Sequence, residues 1–374
     1  MKILIVSHYL IPHIGGIEIV AYNQAKSLIK QGHEVTIITS KIHNEAETQV
    51  MDGIQIRRVK ILNIFEDKFN IPYPIFSFRL IPLLFQEIKN ADLCHVHDIF
   101  YLSSISAALV SKIMRKPIIL TQHVGIVYTN KFIIFVQKVV YATIGRYIFN
   151  VSRKIITYNP YVSSFIKKFD INKSKVILMN NGVDLSLFKP ASDKTKKDLR
   201  NKYNILVNKK VVLFVGRFVT KKGFEKLYSA QDDNYLIIFI GSGALPKYMK
   251  NNNNVLFVKG ANQKILADYY KLSDIFVLPS IGEIFTLVMQ EAMASGLPII
   301  TTKEKGYKFY NIDERYIMFI EHTTKDLKQV IFGIINNKKL LLKMGEYSHK
   351  YAQREFNWDS NVFKILQIYK EALK

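Results

Sequence analysis

A single cysteine, Cys94, is present among 374 residues. Within one chain that excludes a disulfide framework and a cysteine-based zinc cluster. The apolar run around it, Asp92-Leu93-Cys94-His95-Val96, points to an inert core thiol. Acidic residues are also in short supply, with 30 Asp and Glu against 53 Lys and Arg, for a net charge of +23. The excess is shared between the halves: residues 1–190 carry 23 basic and 12 acidic side chains, residues 191–374 carry 30 and 18. Such a charge attracts anions of many kinds without choosing among them. No RNA-binding aromatic signature or zinc knuckle directs it to nucleic acid. Long apolar runs are missing as well. Lys2 is followed only by Ile3-Leu4-Ile5-Val6, too short for a signal peptide. The most apolar stretch, Phe132 to Phe149, is interrupted by Lys138 and Arg146, so no clear transmembrane helix is expected. A soluble or membrane-peripheral cytoplasmic protein fits this pattern.

What is present is a globular composition, 49% hydrophobic and 22% charged, in a chain long enough for two domains. Short β-branched runs alternate with amphipathic stretches. The runs are Lys2–Ser7, Glu34–Thr39, Ile54–Val59, Asp92–Val96, Pro117–Thr121, Lys154–Tyr158 and Val176–Met179. Near-continuous apolar runs of this length predict parallel strands buried on both faces. Helical patterns such as Ile17–Lys30, closed by Gly32, and Ser103–Met114, closed before Pro117, lie between them. The alternation pauses in a polar segment at 185–210. It resumes at Val211–Val215, Tyr235–Ile240, Val255–Val258, Ile275–Leu278 and Pro298–Thr301, and Leu340–Leu373 reads as helical. The expectation is two doubly wound α/β domains, 1–185 and 186–357, with ligands at the carboxyl ends of the strands and a site in the cleft between the domains.

The strongest motif is Pro279-Ser280-Ile281-Gly282-Glu283-Ile284-Phe285-Thr286-Leu287-Val288-Met289-Gln290-Glu291-Ala292-Met293-Ala294-Ser295-Gly296-Leu297-Pro298. A strand ends at Leu278, a loop carries Glu283, and a helix is expected from Phe285 or Thr286 with Glu291 inside it. A helix N-terminus offers N–H groups to an anion or a sugar hydroxyl, and two carboxylates there can accept hydrogen bonds from vicinal hydroxyls. The blander alternative is two surface glutamates. A second motif, Gly216-Arg217-Phe218-Val219-Thr220-Lys221-Lys222-Gly223, places cations at a strand end, where they can neutralise a diphosphate. A third, Pro12-His13-Ile14-Gly15-Gly16-Ile17-Glu18, is a Gly-Gly turn opening a helix. It lacks the G-x-G-x-x-G spacing of a dinucleotide site, which makes a dehydrogenase the weakest reading. His123, in Thr121-Gln122-His123-Val124-Gly125, closes a strand. Asn180-Asn181-Gly182-Val183-Asp184 reads as a structural turn.

Together these strings resemble family 4 glycosyltransferases, the retaining GT-B family with an E-x7-E signature. The likeness runs from Lys2 to about Pro298. It implies two Rossmann-like domains facing a cleft, with a closing helix at about 358–374 that crosses back to the first. It implies that Glu283 contacts the donor sugar and Glu291 the nucleotide ribose. Arg217 and Lys222 would stabilise the leaving diphosphate, and Glu283 and His123 would hold the sugar. Gly15, Gly16, Ile284, Phe285 and Thr286 would complete the donor site, while Tyr9, Gly16 and His123 would meet the acceptor. It implies no metal or other cofactor, only a nucleoside-diphosphate sugar as co-substrate. This sequence departs from the family at Thr286, where Gly is usual, at Val124, where Asp is frequent, and after Thr301. Those departures leave a non-catalytic nucleotide-sugar-binding scaffold open, and a sugar-nucleotide epimerase shares the plan. The aromatic and basic segment Ile71–Phe85 suits either a core helix or a membrane interface near a lipid-linked acceptor.

Overall fold

The computed structural model describes residues 1–13, 15–42, 44–69, 71–126, 131–321 and 324–374. They form two units, one of Met1–Asn181 with Trp358–Lys374, the other of Gly182–Asn357.

The first unit is built on nine strands: β1 (Lys2–Val6), β2 (Glu34–Lys41), β3 (Thr48–Met51), β4 (Ile54–Leu62), β5 (Ile75–Phe76), β6 (Leu93–His97), β7 (Ile118–Gln122), β8 (Lys154–Thr157) and β9 (Val176–Leu178). They lie in the order β3-β4-β2-β1-β6-β7-β8-β9, with β5 on β4. Only β3 and β5 run antiparallel to their neighbour. Strand alternation divides the core in two. Leu4, Val6, Cys94, Val96 and Leu120 point to one side of the sheet; Ile3, Ile5, Ile37 and Ile119 point to the other. The helices Leu80–Asn90, Leu102–Ile113 and Lys131–Val151 cover the first side. Gly16–Lys30 and Trp358–Leu373 cover the second, where Tyr369 and Gln24 share hydrogen bonds with buried His95.

In the second unit β10 (Lys210–Val215), β11 (Tyr235–Gly241), β12 (Val255–Lys259), β13 (Ile275–Leu278), β14 (Ile299–Thr302) and β15 (Ile317–Ile320) form a wholly parallel sheet in the order β12-β11-β10-β13-β14-β15. Its strands carry near-continuous apolar side chains at 0–5% exposure in β10 and β13, as helices on both faces require. In each sheet the order reverses at one crevice, between β1 and β6 and between β10 and β13. Ligands of doubly wound sheets bind outside the strand ends at such a point.

Several elements differ from the sequence reading. The polar segment at 185–210 contains a helix, Asp193–Lys202, capped by Ser192 Oγ accepting from Thr195 N. Its Arg200 and Lys196 reach Asp274 at 2.7 and 2.8 Å, and Val211 N donates to the same carboxylate. Burial alone would raise the Asp274 pKa; the two cations and that amide bring it below its usual value. A polar helix that ties down one buried carboxylate reads as a linker, because its period carries little apolar signal. Leu340–Leu373 is two helices, Lys338–Glu355 and Trp358–Leu373. The stretch around Phe132–Phe149 is one helical segment, Lys131–Val151, with a π turn at Tyr141–Gly145. It is long and apolar enough to cross a bilayer by length and composition. Lys138 and Arg146 interrupt its apolar run, as read from the sequence, but not the helix, since a cation on an exposed face leaves the backbone hydrogen bonds intact.

Candidate active site

In the second unit the loops after β10 and β13 are zipped together at the reversal crevice. The loop after β10 leads through a short 3-10 turn, Thr220–Lys222, into the Phe224–Ser229 helix. Its Lys221 carbonyl accepts from Ile281 N at 2.9 Å, in the loop after β13. Gly223 sits at φ +70°, and a Cβ there would lie 2.2 Å from the Pro279 carbonyl oxygen. Only glycine permits both that backbone conformation and that approach. The result is an ion pair between loops: Lys222 Nζ is 2.8 Å from Glu283 Oε2, and Lys221 Nζ is 3.8 Å from Oε1. Arg217, earlier in the same loop, is exposed.

The helix after this loop is Leu287–Ala294, with Thr286 as its N-cap. It begins after the expected Phe285 or Thr286, because Phe285 adopts φ +42°. Gln290 Nε2 donates to the Phe285 carbonyl at 2.7 Å and holds that turn. The Phe285 ring is meanwhile packed among Tyr307, Tyr310, Tyr351 and Phe356. Ile284 and Phe285 are each 4% exposed. Their side chains therefore anchor the loop, and backbone is what they can offer a ligand. Thr286 lies at φ −55°, ψ 156°, a conformation any residue adopts. Its hydroxyl makes no cap bond, and with Ser280 Oγ it is buried without a partner among the described residues.

Glu291 is placed differently from Glu283. It is 2% exposed, with the Tyr270 hydroxyl 3.1 Å from Oε2. Burial pushes its pKa up to about 8, against the lowering effect of that hydrogen bond. At neutral pH the carboxyl is mostly protonated, able to donate one hydrogen bond as well as accept.

In the first unit the loop after β1 is fastened by a network that sequence reading did not find. His13 lies between two carboxylates, with Glu18 Oε1 at 2.9 Å and Glu66 Oε1 at 2.8 Å. Asn63 joins them, accepting from the Tyr9 hydroxyl at 2.5 Å and donating to Glu66 at 2.9 Å. Tyr9 is fully buried, so its side chain holds the loop. Burial opposes the charge on each partner, yet mutual hydrogen bonding wins: His13 is raised, Glu18 and Glu66 are lowered. A Cβ on Gly15 would meet Glu18 Oε2 at 2.3 Å, whereas nothing lies within 4 Å of one on Gly16. The Glu18 carboxylate thus folds back over the start of the Gly16–Lys30 helix, where its charge suits the macrodipole. Asn63 and Glu66 lie some fifty residues from His13 in sequence, and no local pattern announces them.

His123 follows β7. Its Nε2 is 3.0 Å from Nδ1 of buried His97 on the neighbouring β6, with the rings stacked. His95, His97 and His123 line one face of the two strands, since β6 and β7 are in parallel register with His97 opposite Thr121. Burial pulls His123 down to about 3, and His97 well below its usual value. Both rings are neutral at physiological pH, each able to donate from one nitrogen and accept at the other. Among the described residues no group of three or more His, Cys, Asp or Glu could hold a metal ion. In the segment after Thr301, Glu304 accepts from Gly282 N at 2.6 Å and so supports the Glu283 loop.

Thus Arg217, Lys222, Glu283, Ile284, Phe285, Thr286 and Glu291 gather at β10 and β13 of the second unit. Tyr9, Gly15, Gly16 and His123 lie at β1 and β7 of the first.

The chain matches two family models, "Glycosyltransferase Family 4" over residues 14–187 and "Glycosyl transferases group 1" over residues 195–351. It is 29% identical to an uncharacterized glycosyltransferase of Methanocaldococcus jannaschii, over 99% of this chain and 98% of that one. In fold it is similar to sucrose-phosphate synthase from Thermosynechococcus elongatus, with a TM-score of 0.75 and 20% identity over 99% and 98% of the two chains. It is equally similar to HepE of Anabaena, solved in complex with UDP-glucose, with a TM-score of 0.75 and 16% identity over 98% and 99%. Matched along both units by the two models and carrying the signature glutamates at a doubly wound crevice, the chain belongs to the family 4 glycosyltransferases of the GT-B fold.

Proposed function

We propose that this glycosyltransferase moves a hexosyl unit from a nucleoside-diphosphate sugar, with retention, to a glycan or lipid-linked acceptor. The observation that carries the reading is the Lys222–Glu283 pair, with exposed Arg217 on the same loop as Lys222. A diphosphate entering there draws Lys222 and Arg217 toward its oxygens and leaves Glu283 free to accept from sugar hydroxyls. As the bond from the anomeric carbon to the phosphate oxygen breaks, negative charge grows on the diphosphate, and the two cations stabilise it most at that moment. The acceptor hydroxyl attacks the same face, forms the new glycosidic bond, and passes its proton to the departing phosphate oxygen. Neutral His123 holds a sugar hydroxyl during the transfer. Glu291, protonated and buried, suits a ribose hydroxyl as donor and acceptor together. The UDP-glucose held by HepE supports a nucleotide-sugar donor. With Arg217, Lys221 and Lys222 supplying positive charge, this reading needs no metal. It places the chain in the cytoplasm, peripheral on the inner face of the membrane where a lipid-linked acceptor lies.

The test is release of nucleoside diphosphate from a panel of UDP-, GDP- and ADP-sugars, wild type beside Arg217→Ala and Glu291→Ala. Turnover of one donor that both variants lose supports the reading. Binding of free diphosphate with no turnover, even with acceptors supplied, would replace it with a nucleotide-sugar-binding scaffold.

A further inference from the structure

The net charge is shared between the halves of the chain, but not within the first half. From Ile99 to Phe169, 71 residues, there is no Asp or Glu and there are ten Lys and Arg. That segment forms the Leu102–Ile113 and Lys131–Val151 helices and strands β7 and β8. Both helices cover the same side of the first sheet.

The same helices expose apolar side chains. Phe132 is 73% exposed, Phe135 63% and Ile113 69%, and Val136, Val139 and Tyr147 are each above 40%. Phe132, Phe135, Val136 and Val139 recur at i, i+3, i+4 and i+7, one face of a helix. The opposite face is committed to the core, with Tyr141, Ile148 and Phe149 at 0–1% exposure. A helix with one face in a protein core and the other apolar face in the open does not cross a bilayer. It can lie along one. On the other side of the sheet, the Gly16–Lys30 helix exposes no large apolar side chain, and Trp358–Leu373 exposes Phe363 and Leu373. That side carries both signs of charge: Lys30 pairs with Asp359, and Lys154, one of the ten basic residues of the segment, is paired there with Glu371.

We infer that the outer face of the Lys131–Val151 helix, with Ile113 of the adjoining helix, docks on an anionic lipid surface. The occupant follows from the combination of features. Aromatic and aliphatic side chains enter the acyl boundary, and Lys112, Arg115, Lys131, Lys138, Lys167 and Lys168, all exposed, meet head-group phosphates. Within 99–169 no Asp or Glu opposes them; Asp170, the next residue, pairs with Arg146 of the docking helix at 2.9 Å and leaves these six cations free of it. A soluble protein partner would not require a single sign of charge over 71 residues. This assignment deepens the lipid-linked-acceptor reading and rests on it.

The test uses the full chain and vesicles of phosphatidylglycerol mixed with phosphatidylcholine, beside phosphatidylcholine alone. Wild type should co-sediment with the anionic vesicles at low salt and be released by high salt. The double variant Phe132→Glu/Phe135→Glu should lose roughly tenfold or more in binding, given the apolar area each ring buries. Phe363→Glu, on the opposite side, should bind as wild type does. Donor turnover without vesicles should equal the wild-type value in both variants, which shows that they fold. Equal binding by the double variant would overturn the surface and leave the membrane reading standing. No vesicle binding by wild type would overturn both, while donor turnover would still report on the transfer reaction separately. A dimer by light scattering that the double variant dissociates would make this face a self-interface and overturn the proposal.

Discussion

Lys222 Nζ lies 2.8 Å from Glu283 Oε2, so the cation that would meet the diphosphate is held, before any donor arrives, by the carboxylate that would meet the sugar. Each charge offsets the cost of partly burying the other, and each is released to a substrate group when the donor binds. Lys222→Ala should lower kcat/KM for donor turnover by about 10²–10³, the range seen when one donor to a developing oxyanion is removed. Glu283→Gln should lower it as well, while Lys221→Ala, at 3.8 Å and more exposed, should change it several-fold at most. Steady-state kinetics on the three variants checks the ranking.

Glu291 gives a stability signature. Its folded pKa, near 8, exceeds the ordinary glutamate value of about 4.5. The folded protein therefore binds more protons than the unfolded chain between those values, and stability falls as pH rises through that window. Glu291→Gln should flatten the decline. Thermal unfolding of both proteins between pH 5 and pH 8 reads it (about the window set by the two pKa values). A variant with the wild-type slope would assign the decline elsewhere.

The His13 network has the opposite boundaries. Glu18 and Glu66 are lowered, so their contribution is present above the ordinary carboxylate pKa and is lost as pH falls through their folded values. His13 is raised, so its contribution is full below the ordinary histidine pKa and lost as pH rises through its folded value. The network is strongest between the two. Glu66→Gln should remove most of that optimum and raise KM for acceptor more than it lowers kcat, because the loop bearing Gly15 and Gly16 loosens. Unfolding curves across pH, with acceptor kinetics, test both halves.

Gly223→Ala should be costly. The new Cβ would meet a backbone oxygen at 2.2 Å in a left-handed conformation, and strained backbone of this kind costs about 1–3 kcal/mol even without the clash. A lowered Tm together with loss of donor turnover is expected, since the Lys222 and Glu283 loops separate.

Thr286→Gly tests the departure from the family pattern. Thr286 already has ordinary dihedrals, so glycine relieves no strain and adds unfolded-chain entropy. Stability should fall by about 0.4–1 kcal/mol. An unchanged turnover would show that threonine is compatible with the donor site; a large gain would show that its side chain obstructs it.

Much of this protein was legible in its sequence. The paired parallel sheets follow from apolar runs such as Val211–Val215 and Ile275–Leu278, since a strand buried on both faces must be apolar throughout. The loops that bear Arg217, Lys222, Glu283 and Glu291 were legible because glycine, proline and charge cluster where a strand ends and a helix begins. The family follows from the order of those strings. Only the tertiary structure decided what each side chain faces. Glu283 is paired with Lys222 and Glu291 is buried against Tyr270, although both read as carboxylates on one motif. The polar helix Asp193–Lys202 and the Asn63–Glu66–His13 network depend on partners 50 or more residues away in sequence. The exposed apolar face of Lys131–Val151 was hidden for a related reason. Composition records that a residue is apolar, and only packing determines whether a neighbouring element covers it.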